Sequence, residues 1–175
     1  EFKDATEKAD LTEESLKVAL KQEIGQGLVS VEKQDDKVIV TVGAGGAFPS
    51  GTAQLTPAAK KIMSNIAEIN KKGKQVVFVS GHFANFELMA MYLDKSGINL
   101  SAIYRPLNNP FLNPFMERIR KKYICQNQVK KGIGGMKKLI SLKKKNYSTA
   151  LMIDQRVSQG ILSNFFNEEA FTTTI

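Results

Sequence analysis

The chain holds one cysteine, Cys125, and one histidine, His82. A single Cys excludes an internal disulfide framework and any metal cluster built on thiolates. No second His and no acid lies near Cys125 in sequence, so it reads as a buried thiol rather than a nucleophile. No apolar run reaches the roughly 18 residues of a membrane-spanning helix. The N-terminus is polar and acidic and carries no secretory signal. The chain lacks an initiator Met, and it stops at Thr174-Ile175 without a closing Gly, Pro or charged tail. Those ends read as a piece cut at both sides from a longer reading frame.

What is present is globular: 175 residues, 42% hydrophobic and 24% charged, enough for one ordinary domain or two small ones. Charge is placed unevenly. Residues 1–72 hold ten Lys against eleven Asp and Glu, a net of −1, whereas residues 73–175 hold fifteen Lys and Arg against six acids, a net of +9. A basic half calls for an anionic partner, which can be nucleic acid, a membrane surface or a phosphorylated substrate. A solvated basic surface with no dedicated partner is the plainer reading of the same residues.

The apolar pattern divides the chain near Lys71-Lys72-Gly73-Lys74. Before it, residues 10–24 predict a helix, with Asp10 and Glu13 at capping-box spacing and Leu16, Leu20 and Ile24 on one stripe. Residues 28–32 and 37–42 alternate as strands around Gln34-Asp35-Asp36 and predict a hairpin. Thr56-Pro57 opens another helix, striped by Leu55, Ala59, Ile62, Ile66 and Ile69. Beyond the divide, strands are expected at 75–80, 98–104 and 147–153. The first is of a buried type, because Val76, Val77, Phe78 and Val79 run together. Helices are expected at 85–95, at 113–123 (where Phe115, Ile119 and Tyr123 share a face) and at 135–145. Gly132–Gly135 lacks nucleotide-loop spacing and reads as a turn before the last of these. This alternation argues for an α/β fold with parallel pairing, whose ligands sit outside the carboxyl ends of the strands.

The segments that follow those strands hold the chemical groups. His82 leaves the first strand, and Glu87 comes five residues later. The two meet only if His82 lies in the turn ahead of the helix and Glu87 in its first turn. A carboxylate on one ring nitrogen fixes the tautomer and leaves the other nitrogen basic toward a hydroxyl. Taken alone, His-x4-Glu arises often by chance, and His82 would be read as a helix cap.

Three blocks in order change that reading. "VVFVSGHFANFE" (Val76–Glu87) resembles the first block of the glycerolipid and lipid A acyltransferase superfamily, whose signature is His-x4-Asp/Glu after an apolar strand. "IYRPLNNPFLNPFMERIR" (Ile103–Arg120) resembles the Tyr-Arg-Pro…Asn-Pro segment and the Arg-bearing helix of the lipid A late acyltransferases. "ALMIDQRVSQGILSNFFNEEAFTTT" (Ala150–Thr174) resembles their strand ending in Asp-Gln and the segment after it. The resemblance covers residues 73–175 and implies a lauroyl- or myristoyl-type enzyme of lipid A biosynthesis. His82 would be the general base, Glu87 its orienting carboxylate, and Asp154 would complete the site. Arg105 and Arg120, with Asn108, Gln155 and Arg156, would bind substrate or stabilise developing charge. The donor implied is a thioester on acyl carrier protein, and the acceptor is a hydroxyl of a lipid A precursor. No metal, cofactor or nucleic acid enters. The place of action would be the cytoplasmic face of the inner membrane.

The first third resembles something else. "ALKQEIGQGLVSVEKQDDKVIVTV" and "GAFPSGTAQLTP" resemble the start of the OmpA-like periplasmic domain of the flagellar stator B subunit. The fold expected is therefore a helix–hairpin–helix half domain over 1–72, followed over 73–175 by a partial mixed or parallel sheet with flanking helices. In the stator family the next strand ends in Gly-His-Thr-Asp, whereas Gly81-His82 continues here into Phe83-Ala84-Asn85. The peptidoglycan-binding residues cannot be carried over. The two likenesses meet at Val79–His82, which reads as a chimeric splice, and the first part would then be periplasmic. Three functions follow as expectations: an acyltransferase, a peptidoglycan-binding module, or a general anion binder. A sheet short of later strands leaves unpaired edges, so the 175 residues alone are expected to be inactive and to melt without a cooperative transition.

Overall fold

The computed structural model describes residues 2–43, 47, 49, 52, 54–82, 86–154, 160–165 and 167–172. Gln155 and Arg156 lie outside the described residues. The chain divides into two compact units, Glu1–Glu68 and Ile69–Ile175.

The first unit opens with helix α1 (Phe2–Ala19), a short helix α2 (Lys21–Gly25) and a hairpin of β1 (Val29–Gln34) with β2 (Lys37–Val42). The helix starts well before the expected cap at Asp10. Residues 2–9 contain no Gly or Pro, and Ala9 extends the buried stripe of Leu16 and Leu20 one step upstream. Asp10 is thus exposed in mid-helix and pairs with Lys33 of β1. The hairpin closes where expected, with Gln34 opposite Lys37 and Asp35 at a left-handed φ of 54°. Helix α3 (Pro57–Lys71) is capped by Thr56, whose Oγ1 accepts from the Ala59 N–H at 3.0 Å. Its Ala59, Ile62, Met63 and Ile66 are buried. Lys61 donates to the buried Glu23 at 2.8 Å and lowers that carboxyl's pKa.

The second unit alternates as expected: β3 (Val77–Ser80), α4 (Phe86–Lys95), β4 (Leu100–Tyr104), α5 (Leu112–Tyr123), β5 (Asn127–Lys130), α6 (Ile133–Lys144) and β6 (Ser148–Met152). The four strands form one parallel sheet in the order β3-β6-β4-β5. This is an α/β fold. A second hairpin, β7 (Ile161–Phe165) with β8 (Glu168–Thr172), follows as its own two-stranded sheet. Leu93, Ile98, Leu100, Val129 and Leu142 make the core. Asn70 supports it from below, donating to Ser148 Oγ at 2.9 Å and to the Lys74 carbonyl at 2.9 Å. Cys125 is buried, and desolvation pushes its thiol up to about 11, which leaves it unreactive near neutrality.

Four points differ from what the sequence led one to expect. β5 has no apolar run to announce it. Gln128 is nevertheless buried, because its amide donates to the Cys125 carbonyl at 3.2 Å. β3 is an edge strand, so Val77 and Val79 are exposed rather than covered on both faces. On α5, Phe115 and Tyr123 turn outward, and the polar side of the helix packs inward. The turn before α6 is also shorter than expected, since the helix begins at Ile133 and takes in Gly134 and Gly135.

Candidate active site at the carboxyl end of the sheet

Parallel strands aim their carboxyl ends the same way, and here the register decides what meets there. β3 and β6 are neighbours, with Ser80 opposite Met152. The ladder continues through the Ile153 N–H, which donates to the Ser80 carbonyl at 3.1 Å. Two residues further along each strand stand His82 and Asp154. The Asp154 carboxylate takes two bonds from His82. Oδ2 accepts the backbone N–H at 2.6 Å, and Oδ1 lies 2.7 Å from ring Nδ1. Both side chains remain partly open, at 45% and 31% exposure. The backbone bond, then the ring bond, lowers the Asp154 pKa, so the group is a carboxylate at neutral pH. An ionised acceptor makes Nδ1 the protonated nitrogen and Nε2 the basic one.

Glu87 falls in the first turn of α4, with His82 in the segment ahead of it, as the spacing required. The carboxylate found at Nδ1 is that of Asp154. The Glu87 carboxylate lies 3.6 Å from Arg120 Nε of α5. Arg120 also stacks over the Tyr104 ring, 5.7 Å from its centroid. Tyr104 ends β4, and the exposed Arg105 and Asn108 follow it in the loop beyond that end.

Beneath Arg120 lies a group that no sequence motif marked. Glu117 Oε1 accepts from Tyr104 Oη at 2.6 Å and from Asn113 Nδ2 at 2.7 Å, with Lys130 Nζ at 3.2 Å. The Tyr104 bond, with help from Lys130 and Asn113, holds this carboxyl down at about 2 against the opposing effect of burial. Burial, then Glu117, raises the Tyr104 phenol. The spacing of Asn113, Glu117 and Arg120 along one helix side was the available signal. The folded pKa is depressed, so the stabilisation is full above the ordinary carboxylate range and is lost as pH falls toward about 2. Protection of the β4 and β5 amides from hydrogen exchange, corrected for intrinsic rates, is expected to drop between about pH 4 and pH 2. Glu117→Gln removes the negative charge that Tyr104, Asn113 and Lys130 meet at Oε1 and should cost about 1–3 kcal/mol near neutrality. The variant should also lack most of the acid-dependent loss. Equal acid profiles for variant and wild type would remove Glu117 from this role.

The sequence matches the family described as bacterial lipid A biosynthesis acyltransferase over residues 57–175. That is more than half of the chain. The chain belongs to this family. All three blocks that carried the resemblance fall within the match. So does α3, which lies ahead of the boundary expected after residue 72. No curated protein and no solved structure matches the chain. As a member of this acyltransferase family, the chain has its His82–Asp154 pair where an α/β fold presents ligand-binding groups.

Proposed function

We propose that the protein transfers a fatty acyl chain from the thioester of acyl carrier protein to a hydroxyl of a lipid A precursor. The observation that carries this reading is the doubly held Asp154–His82 pair at the open end of the sheet. Asp154 keeps the proton on Nδ1. His82 Nε2 then accepts the proton of the acceptor hydroxyl as its oxygen bonds to the thioester carbonyl carbon. The carbon–sulfur bond breaks on collapse of the tetrahedral intermediate. The departing thiolate takes the proton from Nε2, leaving an ester and a free carrier thiol. Asp154 stabilises the imidazolium formed in between.

Glu87 and the Tyr104 ring hold Arg120 in place to meet phosphate or the developing oxyanion. Arg105 and Asn108 serve the same substrate from the β4 loop, and the resemblance assigns Gln155 and Arg156 there too. The reaction runs at the cytoplasmic face of the inner membrane and uses no metal or cofactor.

The test supplies acyl carrier protein loaded with a labelled acyl group, together with a lipid A precursor. The product is expected to gain one acyl chain by mass spectrometry, matched by one thiol released. Transfer from acyl coenzyme A but not from the carrier protein would correct the donor. No acyl gain with either donor would refute the reading.

A further inference from the structure

Helix α5 places polar groups where a buried face belongs and apolar groups where solvent belongs. Its inner side carries Asn113, Glu117 and Arg120, all engaged in the network around Tyr104. The spacing of Phe111, Phe115, Arg118 and Lys122 puts them in one line on another side. Phe111 is 89% exposed and Phe115 60%, with Leu112 at 53% and Leu107 at 38% beside them. Arg118 and Lys122 are exposed as well.

This apolar tip is held in shape. Asn109 Oδ1 accepts from the Phe111 N–H at 2.9 Å and from the Leu112 N–H at 3.3 Å. Asn113 Oδ1 accepts from the Leu107 N–H at 2.9 Å. Side chains fixed outward by their own backbone lose little freedom when a partner covers them. The tip begins just past the end of β4, at the same end of the sheet as His82 and Asp154.

We propose that Leu107, Phe111, Leu112 and Phe115 insert into the outer part of an anionic lipid bilayer while Arg118 and Lys122 meet its headgroups. The inference rests on reading the acceptor as a membrane lipid. Charge decides the occupant. The line runs from exposed aromatics to exposed cations, with Lys122 also lying 5.0 Å from the centroid of the Tyr123 ring, and a bilayer interface is graded in the same sense, from acyl chains to anionic headgroups. A partner that offered only negative charge would satisfy the cations but would leave Phe111 in water. No described helix is long and apolar enough to cross a membrane, so attachment through this helix is interfacial. The carboxyl end of the sheet then faces the layer from which a lipid hydroxyl must come.

The experiment is co-sedimentation of the protein with vesicles of phosphatidylcholine alone and with about one-third phosphatidylglycerol. Wild type should partition to the mixed vesicles at least tenfold more than to the neutral ones. Phe111→Ser with Phe115→Ser should lower that partition at least tenfold. Both positions are exposed, so far-ultraviolet circular dichroism should not change. Arg118→Glu with Lys122→Glu should abolish the preference for anionic lipid, as should high salt. Undiminished binding by the Phe variant overturns the proposal, and so does binding to acyl carrier protein but not to vesicles. Acyl transfer to precursor dispersed in detergent separates the two readings. The Phe variant should keep that activity. Vesicle binding without any acyl transfer would defeat the proposed reaction and leave the membrane surface standing.

Discussion

Asp154→Asn is expected to lower kcat for acyl transfer about 10³-fold, close to the loss from His82→Ala, with little change in KM. The reason is the number of bonds that Asp154 accepts. Its two oxygens take the His82 backbone N–H and face ring Nδ1 at the same time. An Asn side chain has one acceptor and one donor group. If its oxygen keeps the backbone N–H, its N–H₂ faces Nδ1 and forces the proton onto Nε2. The ring then has the wrong tautomer to take a proton from the acceptor hydroxyl. If the amide flips, the backbone N–H loses its acceptor and the His82 segment shifts.

Glu87→Gln should behave differently. The 3.6 Å contact with Arg120 weakens while the His82 tautomer stays, so a loss of about tenfold is expected, shared between kcat and KM. A pH–rate profile separates the cases. Wild type and Glu87→Gln should keep the same acid limb, where the general base is lost to protonation, and Asp154→Asn should lose it. If Glu87→Gln proves the more damaging and also removes that limb, Glu87 and not Asp154 is the orienting carboxylate.

The contrast between these carboxylates shows what sequence can and cannot reveal. His82 and Glu87 are five residues apart, so a motif joins them on paper. His82 and Asp154 are far apart in the chain, and only the strand order brings them together. Alternating strands and helices predicted a parallel sheet, and the sheet is parallel. Nothing local says that β6 inserts between β3 and β4. Asp154 was nonetheless named from the block after its strand, because family blocks record the site without its geometry. Glu117 is the opposite case. It lies inside a recognised block, but Glu on a basic helix reads as a solvated charge until Tyr104 is seen above it. β5 is hard to read for a similar reason, since the buried Gln128 is satisfied by side-chain bonds to Cys125 rather than being apolar. The outward turn of Phe115 and Tyr123 follows from the same network. Asn113, Glu117 and Arg120 claim the inner side of α5, and the aromatics are left outside.

Gly135→Ala is expected to destabilise the second unit by about 3 kcal/mol, the upper part of what overpacking costs. Gly135 lies in the first turn of α6, where its backbone is ordinary for a helix, so conformation does not demand glycine. Space does. A Cβ there would stand 1.8 Å from the Lys130 carbonyl oxygen and 3.2 Å from Val129 Cγ1. A backbone carbonyl at the end of β5 cannot swing aside as a side-chain tip can, so α6 must move off the sheet. Lys130 also sends its ammonium to Glu117, so the displacement reaches the network under Arg120. The neighbouring glycine provides the control. A Cβ at Gly134 meets nothing within 4 Å, and Ala there gains up to about 1 kcal/mol of helix propensity. The two substitutions add the same methyl group one residue apart and should act with opposite sign. Limited proteolysis reads this directly, because cleavage tracks the population of opened chains when opening is fast. Gly135→Ala should be cut roughly a hundredfold faster than wild type, and Gly134→Ala no faster. Equal rates for the two variants would mean that α6 does not rest on the Lys130 carbonyl as described.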